Sequence, residues 1–334
     1  MEEETKLPML SGKSSRPSPR SLGVFGIFRE AFSVLAANGK VMTSIILLVI
    51  ILYQILVKAK KLIFTPIFTP LAEDFYSKLA LLEKHPVDSP LRAEILDELK
   101  HDSRVVLGLE TIFLLVVITL ALFSLVAAVS ASTIGYTKRK FSLMELLLRM
   151  KGTWKKPLVT WFYIFLIAIA YGVLTLLLLG IVGATTDGRL LPVLFMTVCL
   201  LAIFVFVYLA AVWTLALVVS VMEEDCRGMK AIARAEDLIK GRKVQGFLLK
   251  FLLFIAGSAI VLLCGFRVTV LKNSTGRSVS SIVGLCLIVL LKFFTFIIAT
   301  VFYHECKKDE VQKLEEEKMA NIGFVYTSVP SGDV

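Results

Sequence analysis

Histidine is scarce in this chain, with three among 334 residues, and His85, His101 and His304 stand far apart. The five cysteines form no CxxC motif and no Cys/His pair at metal spacing, which argues against a zinc site or a disulfide framework. No G-x-S-x-G, P-loop, GxGxxG or HExxH sequence occurs, so the common nucleophile, phosphate, dinucleotide and metalloprotease signatures are missing. The first 20 residues contain Lys13, Arg16, Arg20 and three prolines but no apolar stretch like that of a cleavable signal. Insertion into a membrane is then expected to depend on a later segment.

What is abundant is apolar sequence. Hydrophobic residues make up 57% of the chain and the mean hydropathy is +0.80, well outside soluble averages. Six long apolar runs account for this, near 40–58, 107–133, 157–182, 192–222, 247–270 and 281–303. The run from Pro192 to Met222 has 31 residues without one Asp, Glu, Lys or Arg. As a helix it reaches roughly 46 Å, whereas crossing the hydrocarbon takes about 20 apolar residues. The expected fold is all-α, a polytopic membrane protein with six spans, flanked by a disordered tail over 1–21 and a charged tail over 305–334.

Charge sets the expected orientation. Counted segment by segment, the side holding both chain ends carries 23 Lys and Arg, against 11 on the other side. Excess Lys and Arg mark the cytoplasmic side, so both termini are expected there. The 58–106 segment opposes this trend with Lys58, Lys60 and Lys61, although eight acids balance its eight bases.

Three segments outside the spans have helical periodicity: 22–37, 141–151 and 227–240. Ser142 and Glu145 form a capping box in the second. The third places Arg227, Lys230, Arg234 and Asp237 on one face, with Met229, Ile232 and Leu238 near the other. Amphipathic helices of this kind lie at the membrane surface or pack under a bundle. Each ends in a glycine-basic turn, at Gly39-Lys40, Lys151-Gly152 and Lys240-Gly241-Arg242-Lys243, before a new span starts. A unit of surface helix, turn, span, outer loop and returning span is thus used three times, by true repetition or by convergent topology. The first outer loop is the longest. Pro66 and Pro70 are expected to interrupt it, with one helix over Ala72 to Glu83 and another opening at Ser89-Pro90.

Several stretches resemble a plant family of six-span membrane proteins with no established activity. They are Gly26-Ile27-Phe28-Arg29-Glu30-Ala31-Phe32, the run from Trp213 to Glu223 continuing through Gly228-Met229-Lys230-Ala231 to Leu238-Ile239-Lys240-Gly241, and Phe302-Tyr303-His304. The resemblance covers about residues 22 to 304 and departs from the family's usual histidine-rich ending after Glu305. It implies an endomembrane or plasma-membrane protein and names no substrate. A related pattern occurs in bacterial membrane domains, some attached to glycerophosphodiester phosphodiesterases. This chain has no phosphodiesterase domain, so no catalytic role carries over.

Lys292, near the middle of the sixth run, is the most unusual residue. A lysine at that depth costs about 2.5–3.5 kcal/mol on insertion scales and often marks a function. Its structural alternative is snorkelling or pairing, with Glu110 at the outer end of span two as one partner. Glu223, Glu224 and Asp225 are expected to pair locally with Arg227, Lys230 and Arg234 rather than to bind a cation. Arg227, Lys230, Arg234, Arg242 and Lys243 are the candidate contacts to an anionic membrane surface. Ser124, Ala128 and Ser132 form a small-residue seam for close helix packing. Asn273-Ser274-Thr275 is a glycosylation sequon on the expected outer side, and Cys226 and Cys306 are palmitoylation candidates or plain thiols.

These readings favour a multi-pass endomembrane protein, in the endoplasmic reticulum or another internal membrane, with the plasma membrane as the alternative. It is expected to have no catalytic activity, metal or cofactor, and to organise lipids or partner proteins, not nucleic acid, through its basic helices. The rival is a small-solute transporter or channel built around Lys292 and Thr295.

Overall fold

The computed structural model describes residues 22–37, 39–84, 90–136, 152, 154–185, 188, 190–271 and 273–327. They form eight helices and no strand among the described residues: α1 (Val24–Ala37), α2 (Gly39–Lys84), α3 (Pro90–Tyr136), α4 (Lys155–Thr185), α5 (Leu191–Met222), α6 (Met229–Lys240), α7 (Lys243–Val270) and α8 (Ser274–Thr327). Six are long and apolar enough to cross a membrane, including segments Gly39–Ile63 of α2, Glu94–Thr133 of α3 and Thr275–Met319 of α8. The protein is an all-α, multi-pass membrane protein. Two of the three expected surface helices are present as α1 and α6; the third, over 141–151, lies outside the described residues, as does the 1–21 tail.

α1 and α6 are short because each has only one face to bury. Ile27, Ala31 and Val34 of α1 are buried, and so are Ala231, Ala235, Leu238 and Ile239 of α6. Met229, expected on the apolar face of α6, is instead exposed at its first turn. Gly228, ahead of that turn, has φ 61°, the left-handed region that costs glycine little. Its amide donates to Thr160 Oγ1 at 2.9 Å, and an added Cβ would sit 2.9 Å from the Tyr163 ring. A side chain there would therefore separate α4 from α6.

One expectation needs correcting. Pro66 and Pro70 do not interrupt the first outer segment; α2 runs through both as one helix. Each proline removes one backbone hydrogen bond. Ion pairs to α3 on both sides of the prolines hold the helix regardless. Lys60 Nζ lies 3.0 Å from Glu110 Oε1, and Lys78 Nζ lies 3.1 Å from Glu98 and 2.9 Å from Asp102. The result is a two-helix arm extending beyond the spans, with α3 opening at Pro90. After the sixth span, residues 305–327 continue α8 as the same helix.

The core is concentrated toward the face where residue 22 meets the α8 extension, hereafter the terminal face. Its buried members include Met42 and Val49 of α2, Leu125 to Val129 of α3, Leu215 to Val219 of α5 and Ile297 to Tyr303 of α8. Away from it, α4, α5 and α7 expose Leu176, Leu201 and Leu262 to the surroundings. In lipid such exposure carries no penalty, because the solvent is as apolar as leucine.

Packing near the terminal face depends on small residues. Ser124, Ala128 and Ser132 of α3 are all buried, Ala128 completely. Ser124 and Ser132 each donate to a carbonyl one turn earlier in α3, so their hydroxyl protons make no demand on the neighbouring helices. Leucine at position 128 has no room without moving a helix. Ala128→Leu is expected to lower stability by about 1–3 kcal/mol, the usual cost of overpacking, measured as earlier thermal unfolding of the purified protein in detergent.

Candidate functional site

The densest polar constellation lies at the terminal face, where the turn after α5, helix α6 and the start of α7 meet the α8 extension. Glu223 is its centre. Tyr303 donates its hydroxyl to Glu223 Oε1 at 2.9 Å, Cys226 donates its thiol to Oε2 at 3.2 Å, and Arg234 Nε lies 3.5 Å from Oε2. Arg234 also grips Glu310 of α8 with both terminal nitrogens, each at 2.7 Å. This two-pronged geometry suits the planar guanidinium and would not survive replacement by lysine.

A second arginine repeats the arrangement. Arg242 donates through Nε and Nη2 to the two oxygens of Asp309, the latter at 2.8 Å. Its Nη1 lies 3.9 Å from Glu305 and reaches the Leu22 carbonyl at 3.4 Å. Gln245 donates to the same carbonyl at 2.6 Å, and the Leu22 amide donates to Glu305 Oε2. The start of α1 is thereby tied to α7 and α8. Glu305 is buried, and Lys308 at 2.7 Å shares its charge.

The five basic residues named from sequence therefore divide. Arg234 and Arg242 are held in ion pairs with acids of the α8 extension, Glu310 and Asp309. Arg227, Lys230 and Lys243 remain exposed. Arg227 and Lys230 border an open cavity of about 740 Å³, together with Lys156, Tyr163, Glu224 and Asp225. Of the three acids ending α5, only Glu223 makes the expected pairing with Arg234. Lys156 was not anticipated; its place beside Arg227 follows from the contact of Gly228 with α4, which only the fold reveals.

Lys292 and Glu110 are not brought together. Glu110 pairs with Lys60, whose ammonium also sits 4.4 Å above the Phe113 ring. Lys292 is exposed on α8 and makes no ion pair with a described residue. A second cation within a span, Lys250, stands on α7. Lys250 donates to Thr214 Oγ1 at 2.8 Å, beside a cavity of about 30 Å³ that Thr295 also lines. Sequence reading passed over Lys250 because one lysine close to a span's start looks like an ordinary interfacial anchor.

Asn273 is exposed, and its Oδ1 accepts from the Thr275 amide at 3.2 Å, capping the first turn of α8. Cys306 is buried and Cys226 is half-buried against Glu223, so neither thiol is presented as an open acylation site. Among the described residues no group of three or more His, Cys, Asp or Glu is placed to hold a metal ion.

Burial works to raise the Glu223 carboxyl, but bonds from Cys226 and Tyr303 and the charges of Arg234 and Lys307 outweigh it, leaving it below the ordinary carboxylate value. A depressed carboxyl contributes stability that is complete above its unfolded value and is lost as pH falls through the folded one. Thermal stability is thus expected to decline as pH drops below the normal carboxylate range. Glu223→Gln should show lower stability at neutral pH and a flatter decline, measured by pH-series melting in detergent.

Compared with known proteins, residues 17–329 match a family model described as a domain of unknown function (DUF8558). No curated protein and no solved structure matches the chain significantly.

Proposed function

The chain belongs to the DUF8558 family, and from that premise we propose a non-enzymatic, multi-pass membrane protein that gathers anionic lipid, or a partner held by it, at its terminal face. One observation carries this reading. The arginine pairs fix α6 and its preceding turn to α8, while Arg227 and Lys230, with Lys156 from α4, form no ion pair with a described residue and surround an open cavity. Three bases converging from α4, from α6 and from the turn before it suit a phosphate-bearing headgroup, and Tyr163 offers the amphipathic ring common at membrane interfaces. Glu224 and Asp225 at the rim temper the charge and favour a headgroup that also carries an amine, such as phosphatidylserine.

The excess of Lys and Arg on that side supports a cytoplasmic placement of both ends. The resemblance to a plant six-span family supports an endomembrane location, with the plasma membrane as the alternative. A small-solute pathway through Lys292 has weaker support. The cavity beside Lys250 and Thr295 is about 30 Å³, room for roughly one or two waters and too little for a solute.

The test uses full-length protein in nanodiscs of phosphatidylcholine, with or without phosphatidylserine, and counts lipids retained by native mass spectrometry. Preferential retention of phosphatidylserine is expected. Each base near a membrane surface is worth about 1 kcal/mol, so Arg227→Gln should weaken that preference roughly fivefold. Equal retention of both lipids by the unmodified protein would refute the proposal.

A further inference from the structure

A second basic cavity lies at the opposite end of the spans, independent of the terminal-face reading. It holds about 540 Å³ between α2, α7 and α8. Lys58, Lys61 and Arg277 stand around it, joined by the hydroxyls of Ser278 and Ser281. Among the described residues no carboxylate lines it. The apolar part of its wall is Val57, Val268, Ile282 and Leu285.

We infer that this cavity binds the phosphate of a glycerophospholipid from the leaflet opposite the termini, with the acyl part lying against the apolar wall. Several features converge. Gln54, Val57, Lys58 and Lys61 recur at the three- and four-residue spacing of one helix stripe, so α2 presents its bases and its apolar contacts to one space. Lys60, off that stripe, is neutralised by Glu110, whereas Lys58, Lys61 and Arg277 form no ion pair with a described residue. Their selective lack of acids is a feature of the cavity rather than of the region, since α2 and α3 elsewhere pair Lys78 with three acids.

The depth fits as well. Lys58 lies 19 residues along α2 from Gly39, or about 28 Å at 1.5 Å per residue, close to one hydrocarbon thickness. The bases therefore stand at headgroup level, and the apolar wall reaches inward from them. The walls are fixed: Gln54 Nε2 donates to the Ile282 carbonyl at 3.3 Å and to Cys286 Sγ at 3.5 Å, joining α2 to α8. On the other side, a Cβ on Gly284 would meet Cys264 at 3.0 Å, so α7 and α8 pack closely just below the cavity. Lys292 follows Ser281 by eleven residues, about three turns, on the same stripe of α8. Further unpaired positive charge thus lies on the membrane side of the cavity. This also accounts for the Lys58–Lys61 bases on the side that is otherwise poor in Lys and Arg.

The phosphate could come from a lipid or from a soluble anion, and full-length detergent-purified protein distinguishes the two. Binding of phosphatidic acid, of its soluble dihexanoyl form and of inorganic phosphate is measured by native mass spectrometry and by thermal shift. The long-chain lipid is expected to bind and to raise the melting temperature, the dihexanoyl form to bind more weakly, and inorganic phosphate to compete poorly. The triple variant Lys58→Gln, Lys61→Gln, Arg277→Gln should lose roughly a hundredfold in lipid affinity. Leu285→Trp, which fills the apolar wall and leaves the bases intact, should also lose lipid. The same losses are expected when these variants are made on a Lys156→Gln, Arg227→Gln background, which removes bases of the terminal face, so the two proposals can fail separately. Unchanged lipid affinity in the triple variant would overturn the site. Full displacement of lipid by millimolar inorganic phosphate would overturn the lipid assignment.

Discussion

Lipid gives apolar side chains no reason to leave it, so the hydrophobic effect that assembles soluble helices cannot hold these six spans together. Close packing and polar contacts must do so. In this protein both are densest toward one face, with the α2–α3 ion pairs and the Gln54 contacts to α8 as the polar links at the other end. The small-residue seam of α3 lets neighbouring helices approach, and the paired arginines Arg234 and Arg242 clamp the segment from α6 to the start of α7 onto the α8 extension. A clamped terminal face leaves a set of bases there that form no ion pair with a described residue, and the cavity at the other end stands on its own walls, fixed by Gln54 and by the close approach of Gly284 to Cys264.

Much of the architecture was legible in the sequence because one physical signal dominates it. Apolar runs longer than the hydrocarbon is thick can only be spans, and Pro192 to Met222 corresponds to α5 almost residue for residue. Amphipathic spacing and glycine-basic turns likewise located α1 and α6. The failures arose where tertiary partners override local signals. Pro66 and Pro70 read as breaks, yet ion pairs from α2 to α3 maintain one helix across them. Residues 305–327 read as a charged segment following the sixth span, with no partner assigned to its acids. In the fold, Glu305, Asp309 and Glu310 are the acids that hold the two arginines.

The candidate sites were legible only as unassigned charges. Sequence marks Arg227, Arg234 and Arg242 as equivalent, and only long-range geometry separates the clamped pair from the free base. The separations are large: Arg234 is 76 residues from Glu310, and Arg242 is 67 from Asp309. Gly228 illustrates a signal that was visible but lacked meaning. It stands inside the family-like stretch, and its reason is a left-handed turn pressed against Tyr163. Lys292 illustrates the opposite, a conspicuous residue whose expected partner is engaged elsewhere.

The central claim is that arginine pairing at the terminal face organises the bundle. Its most direct test is a double-mutant cycle on Arg242→Ala and Asp309→Ala in detergent, with hydrogen exchange followed over 22–37. The account predicts a coupling energy of about 1 kcal/mol or more, together with lost protection in α1 when Arg242 is removed, since its guanidinium helps hold Leu22. Additive single-variant effects with undisturbed exchange in α1 would contradict it.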